Sequence, residues 1–354
     1  MVKGLRRLPF TEESRVRIPY VVRKTASLHE RFFYAPYSRF ATRPVYHNLW
    51  VLNNYPMQVN WTGVYPALTT KFDANDQLDL PLFDKNLQAQ LAAGVQGNIL
   101  GGTLGEASTL TLDEKERLVK FTVEKVAGKV PVILNIAEGA TREAIVQAGL
   151  AKDWGASGLM LLPPMRYKPD HREAVAYFKA IAGSTNLPVM IYNNPVDYKT
   201  EVTLDMFEEL KAIENIQAVK ESTRDTTNVT RMKNRFGDRY KILCGVDTLA
   251  FEEICLGADG WVAGLVCGFP KETVAIFNLI REGNLKKALE IYRWFMPLLE
   301  LDIHPKLVQY IKLAETEAGI GSEFVRSPRM PLEGDERKII LSVIQKAIAC
   351  RPTV

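Results

Sequence analysis

The chain has 354 residues, 47% apolar and 24% charged, an ordinary balance for a globular protein and length enough for a sizeable core in one large domain or two medium ones. Its net charge is +4, but the first 56 residues carry eight Arg and two Lys against three Glu. The remainder is therefore slightly acidic, at −3, which argues against a nucleic-acid footprint on the main body. No apolar run approaches the roughly 18 residues that a membrane span needs. Cys244, Cys255, Cys267 and Cys350 form no CxxC pair, and His29, His47, His171 and His304 form no HxxxH pair. The reading is a reducing, cytoplasmic setting and no metal site.

Residues 1–56 are rich in Arg, Tyr and Pro and have no stable period. They lack the apolar stretch of a secretory leader. A transit peptide fits the arginines but not Glu12, Glu13 and the prolines. The favoured reading is a basic, poorly ordered extension upstream of a start at Met57.

From Met57 short β-rich runs alternate with amphipathic segments. Strands are predicted at 60–65, 97–101, 130–135, 158–162, 189–192, 217–220, 241–244 and 260–265. Helices are predicted between them at 81–93, 111–127, 141–154, 172–182, 204–212, 227–236 and 248–256. Asp113 and Glu114 mark one helix start and Thr141 another. Gly94, Gly155 and Gly257 supply left-handed caps. Eight strand–helix units with strands buried on both faces predict an α/β fold, a closed (β/α)8 TIM barrel over 57–283. An open doubly wound sheet is the alternative, but Thr62-Gly63-Val64-Tyr65-Pro66 is not a dinucleotide turn. After the eighth strand come segments at 271–281, 285–300, 306–318 and 334–349; the last three form a helical region over 284–354.

In such a barrel the chemistry sits at the carboxyl ends of the strands. Strand six ends in Val219-Lys220-Glu221. A lysine there meets partial desolvation, which disfavours its charged form, and a neutral amine can form a Schiff base with a carbonyl. The alternative is a solvated lysine at a strand end. Strand two ends in Gly101-Gly102-Thr103-Leu104-Gly105-Glu106, whose backbone N–H groups and threonine hydroxyl could hold a carboxylate, or which is a tight turn only. Strand five ends in Tyr192-Asn193-Asn194-Pro195. Tyr192 is an acid/base candidate or a packed aromatic, and the asparagines are a turn or substrate contacts. Gly245, in Gly245-Val246-Asp247, and Val262, in Val262-Ala263-Gly264, stand at the ends of strands seven and eight.

These motifs, in this order and spacing, resemble the dihydrodipicolinate synthase / N-acetylneuraminate lyase family over about residues 57–350. The resemblance implies a class I aldolase-type barrel with no cofactor, assembled as a homotetramer, a dimer of dimers. It implies that Lys220 forms the Schiff base with a 2-keto or imino acid and that Tyr192 moves protons. Gly102, Thr103 and Leu104 would then bind the substrate carboxylate, with Asn194, Gly245 and Val262 around it and Glu106 as a structural partner in the loop.

Three departures matter. Leu104 stands where the synthases have a second threonine. Asp197 stands where they place an arginine for the aldehyde substrate's carboxylate, and an acid there would repel it. Arg166, in Pro163-Pro164-Met165-Arg166-Tyr167, stands where they lend a tyrosine to the neighbouring subunit. It is a candidate for a substrate polar group, for an intersubunit contact, or for a surface arginine. These changes, with Gly257–Cys267 and Arg326–Leu332, resemble the 1-pyrroline-4-hydroxy-2-carboxylate deaminases of hydroxyproline catabolism. A 2-keto-3-deoxy sugar acid aldolase or dehydratase is the alternative, and an inactive barrel that binds a small acid is a third.

Overall fold

The computed structural model describes residues 58–164 and 167–354. The expectations for the amino-terminal extension and for Arg166 lie outside the described residues. In chain order the elements are β1 (Gly63–Pro66), α1 (Leu80–Ala93), β2 (Asn98–Leu100), α2 (Leu112–Val126), β3 (Val132–Ile136), α3 (Thr141–Asp153), β4 (Gly158–Leu161) and α4 (His171–Gly183). Then follow β5 (Val189–Asn193), α5 (Pro195–Tyr198), α6 (Leu204–Leu210), β6 (Ile216–Glu221), α7 (Thr227–Phe236), β7 (Lys241–Cys244), α8 (Ala250–Cys255) and β8 (Gly260–Ala263). Four helices end the chain: α9 (Pro270–Arg281), α10 (Leu285–Leu299), α11 (Leu307–Glu317) and α12 (Gly334–Ala349).

All eight strands pair in parallel, in the order β1-β8-β7-β6-β5-β4-β3-β2. The ring is drawn closed just beyond β1, where Ala67 bridges Ile99 and the Leu68 N–H donates to the Ile99 carbonyl at 3.0 Å. This is the (β/α)8 barrel that the strand count predicts. The strands are short apolar runs, buried on both faces, because side chains fill the barrel inside and helices cover it outside.

Helix ends follow their local chemistry. Thr111 and Glu114 form a reciprocal capping box at α2, and Asp170 and Glu173 do so at α4. Gly94, Gly155 and Gly257 take φ of 86°, 89° and 102°, as left-handed caps require. Thr141 does not cap α3; it is the first residue inside the helix, and Ala140 at the cap position makes no side-chain bond.

Helix α9 packs on α1 and β1 and completes the eighth unit. A 3-10 turn over Glu300–Ile303 follows α10 and delivers Asp302 to the barrel mouth. Behind the loop that follows β2 lies a buried ionic cluster. Lys312 of α11 holds Glu106 Oε1 at 2.5 Å, and the Arg326 N–H donates to Glu106 Oε2 at 3.0 Å. Lys71 and Glu315 make a second buried pair at 2.9 Å. None of the described helices is long and apolar enough to cross a membrane.

Candidate active site at the carboxyl ends of the strands

Lys220 lies inside β6 rather than past its end, in register with Tyr192 of β5 and Leu243 of β7. Its side chain is 8% exposed and opens into a cavity of about 350 Å³ at the barrel mouth. The amine sits over the Tyr192 ring, 4.0 Å from its centroid. Gly245 makes room for it: a Cβ there would stand 2.6 Å from Lys220 Cγ and 2.1 Å from Ser222 Oγ. A side chain at that position would displace Ser222 or Lys220 from where they stand, so glycine leaves room for the lysine as placed.

Tyr192 is buried at the end of β5, and its hydroxyl accepts from Asn194 Nδ2 at 3.0 Å. Asn194 lines the cavity and also caps α5, accepting from the Asp197 N–H at 3.1 Å. What reads as a turn is thus the start of a one-turn helix. That turn carries Tyr198 back over the site, a residue the sequence reading missed. Its hydroxyl bonds the Thr103 hydroxyl, and its ring stands edge-on to Tyr192 with centroids 5.6 Å apart. An asparagine cap followed by Pro195 at the first helical position is the one local signal that predicts the turn.

Gly102, Thr103 and Leu104 line the cavity. Their N–H groups donate to no acceptor among the described residues. The loop's shape is set from behind. The Glu106 N–H bonds the Thr103 carbonyl, the Ala107 N–H bonds the Gly102 carbonyl, and Glu106 holds φ of 53° while its carboxylate is spent on Lys312 and Arg326. Unpartnered N–H groups on a fixed loop can form a concavity for an anion. Val262 completes the wall on β8.

Three further cavity residues with ionisable side chains went unpredicted: Arg224, Asp302 and His304. Arg224 holds φ of 65° and places Nη2 3.9 Å from Asp197 Oδ1. Asp197 is therefore not the lone repulsive charge that the sequence suggests, because a guanidinium faces it at the rim. Asp247 is buried and accepts from Trp261 Nε1 at 2.9 Å, from the Leu265 N–H at 2.8 Å and from the Gly264 N–H.

The electrostatics follow from burial. Desolvation lowers the Lys220 pKa, opposed by Tyr198, Asp302 and Asp247. It raises those of Tyr192 and Tyr198, keeping both phenols protonated. Burial raises Asp247 too, but its N–H donors pull the other way. Asp302 is pushed up well above the usual carboxylate range by burial and then by the Asp247 charge. Both carboxyls are thus shifted up, and Asp302, with fewer N–H donors, further than Asp247. The cavity brings together a buried amine, two phenols and a loop of unpartnered N–H groups, the kinds of group that carbonyl chemistry through an imine uses. Among the described residues no group of three or more His, Cys, Asp or Glu could hold a metal ion.

The model of the dihydrodipicolinate synthetase family matches residues 60–347. The chain belongs to that family. A 4-hydroxy-tetrahydrodipicolinate synthase of Kosmotoga olearia is 33% identical over 287 residues, covering 80% of this chain and 97% of the relative. One of Exiguobacterium sibiricum is 32% identical over 273 residues, covering 76% and 91%. Among solved structures, the dihydrodipicolinate synthase of Thermotoga maritima superposes with a TM-score of 0.77 at 27% identity, covering 81% of this chain and 98% of that one. A prophage protein of the same family from E. coli K12, solved with pyruvate, has a TM-score of 0.76 at 26% identity, covering 82% and 99%. The chain is accordingly an enzyme of the class I aldolase superfamily, a Schiff-base-forming lyase.

The contact between Thr103 and Tyr198 yields a prediction. Tyr198→Phe keeps the ring and removes the hydroxyl that bonds Thr103 beside Tyr192. Exchange of pyruvate methyl protons with deuterium, followed by NMR, should slow roughly 10²-fold, the low end for loss of an acid–base partner, while half-saturation by pyruvate changes little. An unchanged exchange rate would remove Tyr198 from the proton path.

Proposed function

We propose that Lys220 is the imine-forming nucleophile and that the protein converts 1-pyrroline-4-hydroxy-2-carboxylate to 2,5-dioxopentanoate and ammonia. The observation that carries the reading is a buried lysine amine facing a cavity whose back wall offers unpartnered N–H groups. In this reading the substrate carboxylate sits at Thr103–Leu104 and C2 faces the amine. Lys220 attacks C2, the bond from C2 to the ring nitrogen breaks, and Tyr192 supplies a proton to the departing nitrogen. Loss of a C3 proton gives an enamine. Its electron pair expels the C4 hydroxyl, which leaves with a proton as water. Proton shifts then carry the unsaturation to C5 as an imine. Water hydrolyses both imines, freeing Lys220 and releasing ammonia, for a net uptake of one water.

The names of the relatives favour a second reading, condensation of pyruvate with an aldehyde acid as in 4-hydroxy-tetrahydrodipicolinate synthase. Two observations weigh against it. Leu104 offers no side-chain donor, and the residue two after Pro195 is an acid tied to Asn194 and Arg224 rather than a free cation. Aldolase or dehydratase action on a 2-keto-3-deoxy sugar acid is a third reading. Parallel assays separate the three. The expected result is ammonia release from hydroxypyrroline carboxylate, with little turnover of pyruvate plus aspartate semialdehyde and little of a keto-deoxy sugar acid. Faster condensation than ammonia release would overturn the deaminase reading in favour of the synthase.

A further inference from the structure

Asp302 has no part in the reaction just described, yet its carboxyl lies in the same cavity. It comes from the turn after α10, far in sequence from the barrel strands. A Cβ on Gly264 would meet Asp302 Oδ1 at 2.4 Å and Leu104 Cδ1 at 3.1 Å. The carboxyl and the leucine side chain therefore share one side of the cavity, beside the free N–H groups of the Gly102–Leu104 loop. Among the described residues the Asp302 carboxyl bonds no other side chain; it faces the backbone N–H of Asp247, which with the Lys220 charge pulls against the effect of burial. This side of the cavity thus holds a loop of unpartnered N–H groups, an apolar side chain, and a carboxyl that bonds no other side chain.

We infer that Asp302 is a specificity-determining residue that donates its carboxyl proton in a hydrogen bond to the C1 carboxylate of a 2-oxo or cyclic imino acid bound at Thr103–Leu104. It supplies on this wall the donor that Leu104 cannot. An O–H bond to a carboxylate is charge-assisted and short, among the stronger hydrogen bonds available to a protein. Desolvation in the cavity favours the protonated form of Asp302 that can donate, against the opposing pull of the Lys220 charge and the Asp247 N–H. An ionised Asp302 would instead repel the carboxylate. The arrangement also accounts for Gly264, because any side chain there would displace the carboxyl from this position.

The inference rests on the proposed carboxylate subsite and Lys220 imine, but not on the deaminase reading, because the probe is pyruvate, which has no C4. Borohydride trapping on Lys220, titrated with pyruvate, gives a half-saturating concentration. Asp302→Ala should raise it at least tenfold, and Asp302→Asn, which keeps an N–H donor, should raise it less than threefold. Asp302→Ala combined with Leu104→Thr should recover most of the loss, because a hydroxyl then stands on the same wall. Asp302→Leu fills the volume without a donor and gives the same reading should the alanine variant fold poorly. Unchanged half-saturation in the donor-free variants overturns the inference alone. So does a loss that Leu104→Thr does not recover. A wild type that never traps pyruvate removes the Lys220 reading and this inference with it.

Discussion

Lys220→Met is expected to abolish borohydride-trappable adduct and to lower turnover by roughly 10⁴-fold or more, the scale seen when a covalent nucleophile is removed. The same variant should fold at least as well as the wild type at neutral pH. Burial disfavours the Lys220 ammonium, so the native state holds fewer protons there than the unfolded chain does at pH values between the lowered and the ordinary lysine pKa. Stability attributable to this group therefore rises with pH through that window and is least at low pH. Methionine, apolar and of similar length, removes that cost. Loss of activity with an unchanged or raised melting temperature separates a chemical role from a structural one.

The pH dependence of the wild type tests the same amine. Schiff-base formation needs it neutral, so the trapping rate with pyruvate should rise with pH and level off below the ordinary lysine value of about 10.4. A profile still rising through that value would mean that water reaches Lys220 freely, contrary to its burial against the Tyr192 ring. Lys220 over that ring also retains some cation–π attraction. This and the nearby acids limit how far the pKa falls without reversing the direction.

The barrel was legible because its information is local. Each of the eight strands is a short apolar run between turn signals, and the count alone favours closure over an open sheet. Lys220, Tyr192 and Gly245 could be named as candidates for the same reason, each lying at or near a strand's carboxyl end, and the structure brings all three to one cavity. Tyr198, Arg224 and Asp302 were not legible in this way. Tyr198 returns to the site only because Asn194 and Pro195 start a single helical turn. Arg224 depends on a left-handed backbone at a residue that is not glycine. Asp302 follows a whole helix that lies outside the βα repeat. Periodicity identifies which face of an element is buried; it says nothing of which distant loop folds over the mouth. Asp197 shows the cost of reading a charge without its neighbour, since the guanidinium at 3.9 Å changes what the carboxylate presents to a substrate.

Lys312→Met is expected to carry a large stability effect. Lys312 and Glu106 are both 0% exposed at the side chain and 2.5 Å apart, and the lysine also donates to the Phe324 carbonyl at 2.6 Å. Removing one member of such a pair leaves a buried charge without its partner, which costs about 3–5 kcal/mol. The Arg326 N–H and the Arg329 guanidinium, 3.5 Å from Glu106, offset part of this, so the lower end is expected in urea unfolding. Glu106→Gln in the same chain should recover much of the loss, because a neutral amide does not need the ammonium; two independent sites would instead add. The effect should also reach the active site. Glu106 braces the loop that carries Thr103 and Leu104, and α11 with the turn before it supplies both Lys312 and Asp302. Half-saturation by pyruvate should therefore rise in Lys312→Met and return toward wild type in the double variant. Destabilisation with normal pyruvate binding would mean that the loop keeps its shape without this brace, and that the carboxyl-terminal segment acts on the site through the residues it places in the cavity, Asp302 and His304 among them.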